Sequence, residues 1–149
     1  MTALRRIVLA HDGSKGAARA LAWTGALARQ TGAEVVVVHA YSPLEALGSH
    51  EPPVELAQLR GEAYDRLRNE WCADLAAASV PFDARLVEDL PVPGIVAVAD
   101  EVDADLVVCG TRGMGGVKGL VLGSVASDLP RHAHRPVAII PPASSSVSR

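Results

Sequence analysis

Cysteine is nearly absent from this 149-residue chain: only Cys72 and Cys109 occur, far apart. No CxxC metal spacing and no disulfide framework can be built from them, and a reducing cytoplasm is the expected compartment. Aromatic residues are almost as scarce, with one Phe, two Tyr and two Trp. The core is therefore expected to be aliphatic, built from Val, Ile, Leu and Ala. Basic excess is missing too, since 14 Lys and Arg face 17 Asp and Glu for a net charge of −3. Such a chain does not hold nucleic acid by its overall field, and an anionic ligand would need local backbone donors. Finally, no apolar run approaches the ~18 residues of a membrane span, and no charged-then-apolar leader opens the chain. A soluble, cytoplasmic protein is expected.

What the sequence does contain is a series of short aliphatic runs separated by helical stretches. Ile7 to Ala10, Val35 to Ala40, Leu106 to Cys109 and Pro136 to Ile140 read as strands, most of them apolar throughout. Continuous runs of that kind suit strands covered on both faces. Phe82 to Val87 alternates apolar and polar residues, as a half-buried edge strand does. The helical stretches fall at about Ser14 to Gln30, from the proline-rich loop around Pro52 and Pro53 through Ser79, at Gly94 to Val102, and at Val125 to His134. Five strands interleaved with helices predict a single α/β domain, a doubly wound open parallel sheet with helices on both faces. That domain is expected over residues 1–142, with 143–149 as a disordered tail of small polar residues.

Glycine is concentrated after the fourth strand, at Gly110, Gly113, Gly115, Gly116, Gly119 and Gly123. Glycine lets a backbone approach a ligand closely, and successive N–H groups can form an anion-binding concavity. Ser124 then stands where the last helix should begin, as its natural N-cap, and a helix N-terminus offers free donors to phosphate. Loop and helix start together outline a phosphate site. The two commonest motifs do not fit it. A P-loop requires GxxxxGK[ST], but Lys118 is preceded by Val117 and followed by Gly119. A dinucleotide fingerprint should follow the first strand of its unit, and Lys118 occupies its last glycine position.

The spacing that does match is Gly-x2-Gly-x9-Gly-Ser, from Gly110 through Gly113 to Gly123 and Ser124. Here the chain resembles the ATP-binding subgroup of the universal stress protein family. The resemblance runs from about Leu4 to Pro141. It includes Ala10-His11-Asp12-Gly13-Ser14 after the first strand, His39-Ala40 after the second, the lead-in Ala104 to Gly110, and Arg135-Pro136-Val137.

The resemblance implies strand order 3-2-1-4-5, which makes strands one and four neighbours at a topological switch point and puts Asp12 beside Gly110. It implies that Gly110, Gly113, Gly123 and Ser124 hold phosphates, and that Ala10, His11 and Asp12 line the adenosine side, with Asp12 near ribose, phosphates or Mg²⁺. The backbone at Ala40 would bond adenine, Cys109 and Val125 would line the same pocket, and Arg112 would add charge.

Two departures stand out. Asp89 replaces a usual glycine, and Pro130 falls inside the last helix, where it removes a bond to the Ala126 carbonyl. Blander roles are also open: Asp12 or Ser14 could cap the first helix, and His39 is more often structural than catalytic at a strand end.

The leading expectation is an ATP-binding regulatory or stress-response protein acting through partners. A slow Mg-dependent ATPase is a second reading, although no residue of the glycine segment is suited to activate water. An interaction protein with a vestigial site, or one preferring AMP or cyclic AMP, is a third. The apolar fifth strand, expected at a sheet edge, predicts a homodimer that pairs these edges.

Overall fold

In the computed structural model, which describes residues 3–44, 55–113 and 122–143, five parallel strands form one sheet of order β3-β2-β1-β4-β5. They are β1 (Arg6–Ala10), β2 (Glu34–Ala40), β3 (Phe82–Val87), β4 (Leu106–Gly110) and β5 (Val137–Ile140). The helices are α1 (Lys15–Thr31), α2 (Leu56–Asp65), α3 (Ala73–Ala77), α4 (Pro91–Glu101) and α5 (Ser124–His132), with a π-helical turn, Arg66–Trp71, joining α2 to α3. The expected fold and strand order are those found. The expected tail lies outside the described residues except for Ala143, as do Gly115, Gly116, Lys118 and Gly119.

Alternation along the strands divides the aliphatic residues between two cores. Ile7, Leu9, Val35, Val37, Ala84, Leu86 and Val108 join one cluster with the buried faces of α1, α2 and α3. Val8, Val36, Val38, Val107 and Cys109 join the other with α4 and α5. Both faces of β1, β2 and β4 are thus covered, which is why those strands read as unbroken apolar runs.

Local chemistry sets the boundaries of α1. Ser14 accepts a hydrogen bond from the Ala17 N–H at 3.1 Å, and Gly32 ends the helix in the left-handed region at φ 76°. Gly16 and Gly110 let this helix close against β4: a Cβ on Gly110 would lie 3.0 Å from the Gly16 carbonyl group.

Three helices differ from the sequence expectation. α4 begins at Pro91 rather than Gly94, because proline suits a first helical turn, where its missing N–H costs nothing. The stretch expected to run unbroken to Ser79 contains the π-helical turn and ends at Ala77, with Ser79 at φ 56°. α5 runs through Pro130 but stops at His132 instead of His134, which adopts φ 53°.

Candidate functional site

The carboxyl ends of parallel strands point the same way, and the strand order reverses between β1 and β4. A crevice must open there, since the connections leaving these two strands depart to opposite faces. A cavity of about 440 Å³ occupies that place, within the roughly 300–1,000 Å³ of small-molecule pockets. All eleven residues singled out from the sequence line it: Ala10, His11 and Asp12 after β1, Ala40 at the end of β2, Cys109, Gly110, Arg112 and Gly113 from β4 onward, and Gly123, Ser124 and Val125 at the start of α5.

The β1–α1 loop is held by its own short polar side chains. Asp12 Oδ1 accepts the Ser14 N–H at 3.0 Å, and Ser14 caps α1. Of the two residues weighed as the cap of α1, Ser14 takes the role, and Asp12 instead holds the Ser14 N–H. The other Asp12 oxygen lies against Gly113. A Cβ on Gly113 would collide with Asp12 Oδ2, so any other residue there would displace the carboxylate from this edge. Residues about a hundred positions apart are joined here by the β1–β4 pairing, in which Leu9 lies opposite Val108.

The glycine segment is drawn closed at its neck, where the Gly123 N–H bonds the Thr111 carbonyl at 2.6 Å. At the start of α5 the structure corrects the sequence reading. Gly123, not Ser124, is the N-cap, and no side chain caps the helix. Ser124 is the first helical residue and lines the cavity. The first turn of α5 therefore keeps donors that a capping side chain would otherwise take.

The two histidines bond the backbone around the site. His11 is 5% exposed, and its Nδ1 accepts the Gly13 N–H at 3.0 Å. Burial draws its pKa down to about 4, against the opposing pull of Asp12. The ring is therefore neutral near pH 7, with its proton on Nε2. His39 Nδ1 lies 2.9 Å from the His11 carbonyl oxygen, which ties the end of β2 to the β1 loop. The His11 N–H reinforces the link by bonding the Val38 carbonyl at 2.9 Å. Burial pushes the Cys109 thiol up to about 11, so it stays protonated and serves as a small apolar wall.

Pro91 and Ile95 from α4, Val38, Ala17 and Ala126 also line the cavity, and the sequence did not single them out. Their shared signal is weak: each is an ordinary core-type residue near an element end. Pro91 alone carried a readable mark, as a proline that opens a helix. The lining thus combines apolar side chains with the glycine backbone after β4, the first turn of α5 and one carboxylate. Such a surface suits a ligand with a flat apolar part and an anionic part.

Known proteins with this arrangement include two solved with nucleotides. A universal stress protein in complex with cAMP aligns with a TM-score of 0.63 at 30% identity, covering 93% of this chain and 98% of that one. The universal stress protein from Archaeoglobus fulgidus in complex with dAMP aligns at 0.69 with 28% identity, covering 93% and 99%. Among sequences, a universal stress protein from the QAH/OAS sulfhydrylase 3′ region of Thermus aquaticus is 40% identical over 139 residues, 91% of this chain and 98% of that relative. With the family model matching residues 3–141 as well, the chain belongs to the universal stress protein family.

Proposed function

We propose that this chain binds an adenine nucleotide, ATP with Mg²⁺ in the first instance, in the β1–β4 cavity and acts as a nucleotide-responsive regulatory protein through partners. One observation carries the reading: Asp12 is packed edge to edge with Gly113 where any side chain would displace it. In this reading the backbone of Gly110, Gly113 and Gly123 and the Ser124 hydroxyl hold phosphates. The Ala40 backbone and the apolar walls of Cys109 and Val125 hold the base, and Arg112 adds charge. The residues fit a magnesium nucleotide, because Mg²⁺ keeps several waters and takes its remaining ligands from phosphates, so that one carboxylate suffices.

A monophosphate preference is a second reading, favoured by the related proteins solved with cAMP and dAMP. Binding rather than turnover is proposed, and no catalytic residue is assigned. The nearby imidazole nitrogens His11 Nδ1 and His39 Nδ1 are engaged with backbone groups.

The β5 edge, carrying Val137, Ala138 and Ile139 in half-buried positions, is proposed to pair with its copy in a homodimer. Gently denatured purified protein is expected to release ATP, and calorimetry to give affinity for ATP near micromolar, about 8 kcal/mol. Light scattering on the same sample is expected to give twice the chain mass. Tighter AMP or cyclic AMP binding selects the second reading, phosphate release above a Gly113→Val control establishes hydrolysis, and refusal of all three nucleotides overturns the proposal.

A further inference from the structure

Behind the cavity lining stands an aromatic residue that comes from none of the segments forming the site. Trp71 closes the π-helical turn between α2 and α3. Leu59, Ala63 and Leu67 mark the buried face of the helix at intervals of four, and the next fully buried position is Cys72, five residues on. The Cys72 N–H correspondingly bonds the Leu67 carbonyl, the i→i+5 pattern of a π turn. In an uninterrupted α-helix residue 71 would hold the core position below Leu67. The extra residue gives that place to the smaller Cys72 and carries the indole to the β1–α1 loop.

There the indole meets two residues of the β1–α1 loop and one at the end of β2. Its ring stacks on His11 with centroids 4.8 Å apart and planes 16° from parallel. The His39 ring meets it edge-on at 4.9 Å and 81°. A Cβ on Gly13 would fall 2.6 Å from Trp71 Cζ2, and Gly13 sits at φ 83°. Glycine is required there both by its conformation and by the indole. His11 and Gly13 flank Asp12, and His39 precedes Ala40.

We infer that Trp71 is a positioning residue for the site: wedged against His11, Gly13 and His39, it fixes the Asp12 loop and the end of β2 in the arrangement that receives the nucleotide. The inference rests on the nucleotide-binding reading given above. It also makes the α2–α3 helical unit part of the site, because ordering or loosening the π turn moves the residue that holds Asp12. The contact is with the backs of the lining residues, so Trp71 touches no ligand and acts only through them.

The test uses the full chain. Trp71→Ala is expected to weaken ATP binding about tenfold, the scale of losing an outer partner of a binding group, and Trp71→Phe to restore most of it. Amide exchange at Gly13 and Ser14 should quicken in Trp71→Ala, while the β1 amides remain protected. The chain holds two tryptophans, so the Trp23→Phe protein reports Trp71 alone. Its emission is expected to change on adding ATP, with the midpoint found by calorimetry. If Trp71→Ala does not fold, that emission decides, and saturation without any change overturns the inference. Wild-type affinity and exchange in a folded Trp71→Ala protein overturn it equally, leaving nucleotide binding intact. Refusal of ATP, AMP and cyclic AMP by the wild-type chain overturns the proposed function and takes this inference with it.

Discussion

At the amino-terminal edge of the sheet, Arg6 bonds Glu34 at 2.5 Å and the Val102 carbonyl at 2.8 Å. Asp105 accepts the Arg5 and Arg6 N–H groups, and Arg135 spans the Ala104 carbonyl and Asp100 at 2.7 Å each. Charged side chains there meet one another and the backbone. At the carboxyl edge, between β1 and β4, the lining is made of Gly110, Gly113 and Gly123, short side chains and helix starts. The same sheet is thus cross-linked at one end by long ionic side chains and opened at the other where Gly110, Gly113 and Gly123 stand among the lining residues. Ionic cross-links gather at the first end and room for a ligand at the second, so changes at the two ends should have separable consequences.

Acidification should produce the largest effect, and at the carboxyl end. His11 has its folded pKa drawn from 6.5 to about 4 by burial. The unfolded chain therefore binds the additional proton as pH falls from about 6.5 to 4, and stability is lost through that window. Full passage is expected to cost about 3 kcal/mol. Chemical denaturation at a series of pH values measures it, with His11→Asn as the variant in which the slope should flatten. Hydrogen exchange should show the Gly13 and Ser14 amides opening before those of β1 and β4. Loss beginning at the Arg135 end instead would break the comparison.

Slightly smaller, and confined to binding, is the expected effect of Gly113→Val. The new side chain would drive Asp12 from its place, so ATP affinity measured by calorimetry should fall at least about a hundredfold, near 2.8 kcal/mol. Gly113 has no positive φ and what must move is a side chain, so unfolding free energy should change by less than about 1 kcal/mol. Gly110→Val supplies the contrast within the same segment. Its Cβ meets the Gly16 backbone at 3.0 Å, and it should melt the protein early. Equal behaviour of the two glycine variants would erase the distinction between a glycine kept for ligand space and one kept for packing.

Much of this division was legible in the sequence, for definite reasons. Continuous aliphatic runs announced strands buried on both faces, and Ser14 marked the start of α1 through capping chemistry that depends on few neighbours. The glycine spacing with Gly-Ser, set beside Asp12, was enough to select residues that the fold gathers at one cavity. What could not be read depends on competition between distant groups. Ser124 is a good N-cap by type, yet Gly123 takes the position because the Thr111 carbonyl fixes its N–H. The direction of the His11 ring is set by Trp71, sixty residues away. The π turn that delivers Trp71 reflects a choice between Trp71 and Cys72 for one core position, and helical periodicity offers both.

The smallest of these effects falls at the amino end and leaves the site untouched. Arg135→Ala removes two charge-assisted hydrogen bonds, to the Ala104 carbonyl and to Asp100, from a side chain only 16% exposed. Its third contact, with Asp103, is 3.3 Å long and that partner is 94% exposed, so it adds little. A loss of about 2 kcal/mol in denaturant unfolding is expected, chiefly because the carbonyl of buried Ala104 loses its charged donor, whereas Asp100 is 56% exposed and readily hydrated. Nucleotide affinity should stay within about twofold of the wild type. Val107 and Val108, fully buried, separate the changed side chain from the cavity. A variant that lost affinity in step with stability would show that the ionic end also sets the width of the cavity, and the two ends would then have to be treated as one mechanical unit.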